Sequence, residues 1–147
     1  MATNRRFLLC APEDVFGVIG NGWLYPSWVV GASRMRDVER DWPAVGARIH
    51  HSVGVWPVLI DDTTSVLEWD PPRHAKFKAR GWPMGSAHVV IDVVPQDGGC
   101  QVTITEDAVE GPGMLVPAPA RAVAIRVRNA ETLQRLAYLA EGAAAGR

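Results

Sequence analysis

Strict alternation of apolar and polar residues runs through the middle of the chain. His74, Lys76, Lys78 and Arg80 fall on one side of a strand pattern, and Ala75, Phe77 and Ala79 on the other. One wet and one dry face point to an antiparallel sheet covered on a single side. Ala47–Val55 repeats the period, with Ile49, His51, Val53 and Val55 on one face and Arg48, His50 and Ser52 on the other. Gly31–Arg40 predicts a further strand, as does Thr63–Trp69, which places Leu67 and Trp69 together. Asp61-Asp62 predicts the connection before it. Ser86–Val94 sets Ala87, Val89, Ile91 and Val93 opposite Asp92, and Gln96-Asp-Gly-Gly99 predicts a hairpin loop. The last strand, Cys100–Ala108, puts Val102 and Ile104 inside, and by the same parity Glu106 as well. A first short strand is predicted over Arg5–Cys10.

The period changes at both ends. Pro12, followed by Glu13 and Asp14, suits a first helical turn. Trp23–Trp28 predicts a second short turn after the Gly20-Asn21-Gly22 break. A Pro/Gly-rich connector, Gly111–Pro119, leads into a long helix over Pro119–Glu141. Ala122, Ile125, Asn129, Leu133, Leu136 and Ala140 share one face of that helix, and Arg121, Arg128, Glu131 and Arg135 lie mostly away from it. Ala143–Arg147 predicts a fraying tail. A lone long helix after a run of strands must pack on one face of their sheet. A sheet that curls around such a helix encloses a pocket between them.

Composition narrows the function classes. The chain has the length of one domain, 1–147, with ordinary hydrophobic (48%) and charged (21%) content. Its formal net charge of −1 lacks the basic excess of a nucleic-acid binder, and the arginines of the last helix are interrupted by Glu131 and Glu141. No apolar run approaches the roughly 20 residues that span a bilayer. The N-terminus lacks the apolar region of a signal peptide, so a cytoplasmic protein is expected. Cys10 and Cys100 fit neither a disulfide framework nor a metal site, and the four His show no ligand spacing. No nucleophile elbow, Rossmann or P-loop pattern occurs, so no metal and no cofactor is expected.

Three polar residues interrupt faces expected to be dry. Glu106 is a carboxylate whose pKa burial raises unless a cation pairs with it, a state suited to general acid–base work. The alternative is a bent strand end, or pairing with a nearby Arg or Trp N–H. His51 shares the face of Ile49 and Val53, where it either contacts a ligand or is simply hydrogen-bonded in the core. A one-residue slip would exchange it with His50. Asn129 needs partners if buried, and a ligand, water, Glu106 or backbone would each serve. Six Trp, at 23, 28, 42, 56, 69 and 82, sit near expected element ends. They suit pocket walls, or equally plugs at the ends of the sheet.

The order of elements resembles the helix-grip fold of the START/Bet v 1-like superfamily. The nearest likeness is to the small bacterial polyketide cyclase/dehydrase-like branch. Pro26-Ser-Trp28, Trp42–Gly46 into Ile49–Gly54, Val102–Glu106 with Gly111-Pro-Gly113, and Arg128–Ala137 carry the resemblance. It implies an α+β fold in which a curved antiparallel seven-stranded sheet wraps a long C-terminal helix, with two short helices after strand 1. It also implies a hydrophobic cavity between sheet and helix. The plant pathogenesis-related members' glycine-rich loop is missing, since Trp42–Gly46 holds one Gly.

On this reading the chain binds a hydrophobic, partly oxygenated small molecule, lipid or polyketide-like, as a monomer or homodimer. Phe77, Val89, Ile91, Val102, Ile104, Ile125, Leu133 and Leu136 would line the pocket, with Val53 beside them. Trp28, Trp56, Trp69 and Trp82 would form its walls or mouth, and His51, Glu106 and Asn129 its polar contacts. The alternatives are a polyketide cyclase or dehydratase using Glu106 or His51, and a protein-interaction module with a filled interior. The helix-grip order also places Cys10 near Cys100, as free thiols in a reducing compartment.

Overall fold

The computed structural model describes residues 1–80 and 85–146, with the backbone alone at Val55. Seven antiparallel strands form one sheet: β1 (Ala2–Leu8), β2 (Ala32–Val38), β3 (Arg48–Val55), β4 (Val58–Asp70), β5 (His74–Arg80), β6 (Ser86–Gln96) and β7 (Gly99–Glu110). Their spatial order is β1-β7-β6-β5-β4-β3-β2. Two short helices, α1 (Pro12–Ile19) and α2 (Tyr25–Trp28), follow β1, and α3 (Ala118–Ala145) ends the chain. This is the helix-grip arrangement that the element order predicts.

Local chemistry explains the short helices. Pro12 opens α1, and the Asp14 carboxylate accepts the Ala11 N–H at 3.0 Å, half of a capping box. Val15, Phe16, Val18 and Ile19 bury the inner side of that helix in the main core. On β7, Cys100, Val102, Ile104 and Glu106 all point inward, so the parity read from the sequence holds to the position of the carboxylate.

Two sequence expectations are corrected in β4. Asp61 and Asp62 do not open a connection; they lie within the strand, paired with Ser52 and His51, and the chain reverses at Trp56-Pro57 instead. Asp is a poor strand former, but Ser52 donates to Asp61 at 2.7 Å and Arg80 reaches Asp62 at 3.5 Å, so both carboxylates are satisfied. Leu67 and Trp69 do not share a face in the simple way alternation suggests. A bulge between Val66 and Glu68 resets the parity and brings Trp69 opposite the inward-facing Ala75. The first strand also begins earlier than expected, at Ala2, and ends at Leu8.

The helix α3 packs on β1, β7, α1 and α2. Its buried side chains are Asn129, Thr132, Leu133, Leu136, Ala137 and Ala140, with none before Asn129. The register places the Trp56-Pro57 turn, the start of β2, the end of β7 and the first turns of α3 at one end of the sheet. Gly54 there has a φ of +109°, and a Cβ would meet the Val58 carbonyl oxygen at 2.5 Å, so this hairpin tip requires glycine. The opposite end is closed: Trp69 packs edge-on against Phe16 at 5.2 Å, and Trp42 stacks on Phe77 at 5.8 Å.

Candidate ligand-binding cavity

Because α3 commits its second half to the core, its first half bridges a space rather than filling it. A wide lobe of about 430 Å³ lies beneath it, walled by Val53, Ala79, Ala87, Ala108, Val116 and Ile125 among others. A narrow lobe of about 70 Å³ adjoins it, between Trp28, Phe77, Val89, Ile104 and Thr132. Tyr25, Val29, Ala79, Glu106 and Arg128 belong to the walls of both lobes.

Glu106 is 6% exposed and faces both lobes, where Arg128 Nη2 donates to Oε2 and Asn129 Nδ2 donates to Oε1 at 3.2 Å. The sequence expectation that Arg128 lies on the solvated face is therefore corrected. Arg128 adjoins the buried stripe of α3, and its long stem carries the guanidinium round to the carboxylate. Arg121, also expected outside, turns in likewise: its Nε donates to Asp107 Oδ1 at 3.0 Å and its Nη1 to the Val116 carbonyl at 3.0 Å. With a cation in place, burial of Glu106 takes the paired form of the expectation.

His51 is 1% exposed and forms part of the wide lobe. Its Nε2 lies 2.9 Å from Thr64 Oγ1, and Thr64 Oγ1 lies 3.0 Å from the Tyr25 hydroxyl. The Tyr25 ring stacks on the imidazole at 5.1 Å. Burial lowers the His51 pKa to about 4; Asp62 and a Thr63 backbone group oppose the shift, and Arg36 and His50 add to it. Burial also pushes Tyr25 up to about 12. Both groups are uncharged at neutral pH.

The remaining candidates divide by position. Trp28, Phe77, Val89, Ile104 and Asn129 are at the narrow lobe, and Val53 and Ile125 at the wide one. Ile91, Val102, Leu133 and Leu136 are among the walls of neither lobe; they are packed in the main core. Trp56 is 79% exposed at the β3–β4 turn, outside the cavity. Trp69 plugs the closed end through its contact with Phe16. Trp82 lies outside the described residues. Sequence reasoning missed Tyr25, Thr64, Arg128 and Thr132. The one available signal was Thr64, at the parity of Val66 in a β-rich stretch.

Among the described residues no group of His, Cys, Asp and Glu has the arrangement of a metal site. Among the described residues no helix is long and apolar enough to cross a membrane. Cys10 and Cys100 are free, buried and adjacent, each thiol affecting the other.

The fold is shared with solved proteins of low sequence identity. CV1439 from Chromobacterium violaceum superposes with a TM-score of 0.70 at 18% identity, covering 95% of this chain and 96% of that one. The di-domain ARO/CYC StfQ from the steffimycin biosynthetic pathway gives 0.72 at 15% identity, and this chain, 99% covered, spans 50% of it. Ara h 8.0201 gives 0.70 at 11% identity, with 99% and 97% covered. No functionally curated protein matches the sequence. The family described as polyketide cyclase/dehydrase and lipid transport matches residues 3–141, and the chain that builds this two-lobed cavity belongs to it.

Proposed function

We propose that the protein binds a hydrophobic, partly oxygenated small molecule in the cavity between its sheet and α3. The observation that carries this reading is the wide lobe, whose volume of about 430 Å³ falls within the roughly 300–1,000 Å³ of small-molecule sites. Its wall is mostly apolar, and each charged group on it faces an opposite charge within the protein. Such a wall orients a ligand without committing it to a reaction. Family membership supports a hydrophobic ligand and leaves the chemistry open, because function lives in the site rather than the fold.

Native mass spectrometry of gently purified protein, compared with its denatured mass, tests this. Excess mass that disappears on denaturation is the expected result, and its formula separates lipid from polyketide classes. A clean apo mass that persists after exposure to a mixed apolar ligand set would overturn the reading in favour of a filled interaction module.

A second reading rests on the hydrogen-bonded series His51–Thr64–Tyr25, which ends on a hydroxyl at the wall of both lobes. In a cyclase or dehydratase this series would pass a proton to a bound carbonyl, with the cavity holding the chain in a reactive shape. Turnover of a polyketide-type substrate that survives in Glu106→Gln but is lost in His51→Gln would assign the proton to this series. The reverse outcome would assign it to Glu106.

A further inference from the structure

The charged groups on the cavity walls are all answered within the protein. The narrow lobe carries Glu106 and Arg128, and the wide lobe adds Arg80 and Arg121. Arg128 closes on Glu106, Arg121 Nε lies 3.0 Å from Asp107 Oδ1, and Arg80 Nε lies 3.5 Å from Asp62 Oδ1. His51 and Tyr25 are neutral for the reasons given above. The segment between β5 and β6 outside the described residues, Gly81–Met84, contains no ionisable side chain. Three cations thus meet three carboxylates, so a charged ligand would find each guanidinium already facing an opposite charge.

Two polar atoms of wall residues are unanswered among the described residues, His51 Nδ1 beside the wide lobe and Trp28 Nε1 beside the narrow one. Of these, the indole is the one that can only donate. Trp28 is 4% exposed and borders the narrow lobe, and its Nε1–H meets no hydrogen-bond acceptor among the described residues. Whatever completes it must bring an oxygen or nitrogen lone pair, because a buried donor without a partner is costly. A volume of about 70 Å³ admits only a small terminal group, so the bulk of any ligand lies in the wide lobe.

We infer that the cavity selects an uncharged apolar molecule with a terminal carbonyl, whose oxygen accepts from Trp28 Nε1–H in the narrow lobe. The inference rests on the binding reading proposed above and deepens it. A carboxylate also accepts hydrogen bonds, but it brings a charge beside Glu106 into a site whose guanidinium groups are committed. An ammonium head likewise finds no free carboxylate. Removing a charge from water without a partner costs more than one hydrogen bond returns.

Displacement of the neutral dye Nile red at neutral pH tests this with four molecules of matched chain: methyl octyl ketone, decane, decanoate and decylamine. The ketone is expected to displace the dye at concentrations lower by about tenfold or more than decanoate and decylamine. Its advantage over decane, about fivefold, is expected to disappear in Trp28→Phe and to persist in the exposed-site control Trp23→Phe. In the wild-type protein, the Trp28 indole N–H proton resonance should move downfield with the ketone and stay in place with decane, which keeps the assignment testable if Trp28→Phe fails to fold. Decanoate or decylamine displacing as well as the ketone would overturn the selection for neutral ligands. An unmoved indole resonance in the ketone complex would overturn the role of Trp28. Failure of the dye and all four molecules to bind would instead remove the binding reading beneath both.

Discussion

His51 Nε2 and Thr64 Oγ1 lie 2.9 Å apart although they are not register partners: Thr64 pairs with Ile49, and His51 pairs with Asp62. The contact is diagonal across β3 and β4, on the inner face. It leaves Thr64 able to meet the Tyr25 hydroxyl as well, so one small side chain joins a helix to two strands. The imidazole is stacked, hydrogen-bonded and dry, and it stays neutral.

That neutrality sets an acid dependence. In the unfolded chain His51 takes a proton near its ordinary value of 6.5, while in the folded protein it waits until about 4. Between those values the unfolded state binds more protons, so the contribution of His51 to stability is full above pH 6.5 and falls as pH drops to 4. The loss should reach up to about 3 kcal/mol. Urea unfolding midpoints measured across this interval should fall in the wild type and flatten in His51→Gln. A His51 resonance titrating near 6.5 in the folded protein would contradict this.

His74 should act in the opposite sense. Its Nδ1 lies 2.6 Å from Asp92 Oδ1 and its Nε2 lies 3.5 Å from Glu68, so the Asp92 hydrogen bond above all holds its pKa above the usual value. Its contribution is fully present below pH 6.5 and is lost as pH rises through the raised folded value. His74→Gln should therefore lower the unfolding midpoint on the acid side and leave it unchanged at high pH. Proton-resonance titration of the two histidines, one moved each way, checks both assignments in one experiment.

Breaking the Glu106–Arg128 pair should be asymmetric. Arg128→Met leaves a carboxylate that is 6% exposed with Asn129 as its remaining hydrogen-bond partner, whereas Glu106→Gln leaves a guanidinium with access to water. Arg128 is itself partly solvated, so the first substitution should cost roughly 1–3 kcal/mol rather than the full value for a buried pair. The second should cost less than about 1 kcal/mol. Urea midpoints at constant slope measure both, and equal costs would mean that Glu106 is better solvated than its position indicates.

The two cysteines should be chemically quiet. Burial, helped by the Cys100 thiol, pushes Cys10 up to about 12, and burial raises Cys100 in the same direction. Since the thiolate is the reactive form, alkylation by iodoacetamide at mildly alkaline pH should be slow in the native protein and fast for both thiols in urea. Rapid labelling of native Cys10 would show that the β1–α1 corner opens readily.

The inner faces of β3, β5 and β7 were legible in the sequence because alternation survives wherever one face is dry. That is why the residue pattern alone places Glu106 and His51 on the inner face. The limits were equally physical. Trp69 has the inward face but sits at the closed end against Phe16, and the bulge that turns it inward leaves no mark in the pattern of residues. Arg128 was assigned to the solvent because helical position fixes where a Cα–Cβ bond points and not where a four-atom stem ends. Val102 has the right parity but lies further along β7 than Ile104, and alternation carries no information on how far along a strand the cavity reaches. Tyr25 and Trp28 sit on a four-residue helix too short to show a period at all.

The uneven burial of α3 has a kinetic consequence. Residues before Asn129 contribute no fully buried side chain, while Leu133, Leu136, Ala137 and Ala140 are sealed in the core. Amide hydrogen exchange should therefore be faster over Ala122–Val127 than over Leu133–Ala140, since the first stretch can fray without opening the core. Ligand residence time and global unfolding would then be governed by different halves of the same helix. A substitution such as Ile125→Ala should shorten the first far more than it accelerates the second.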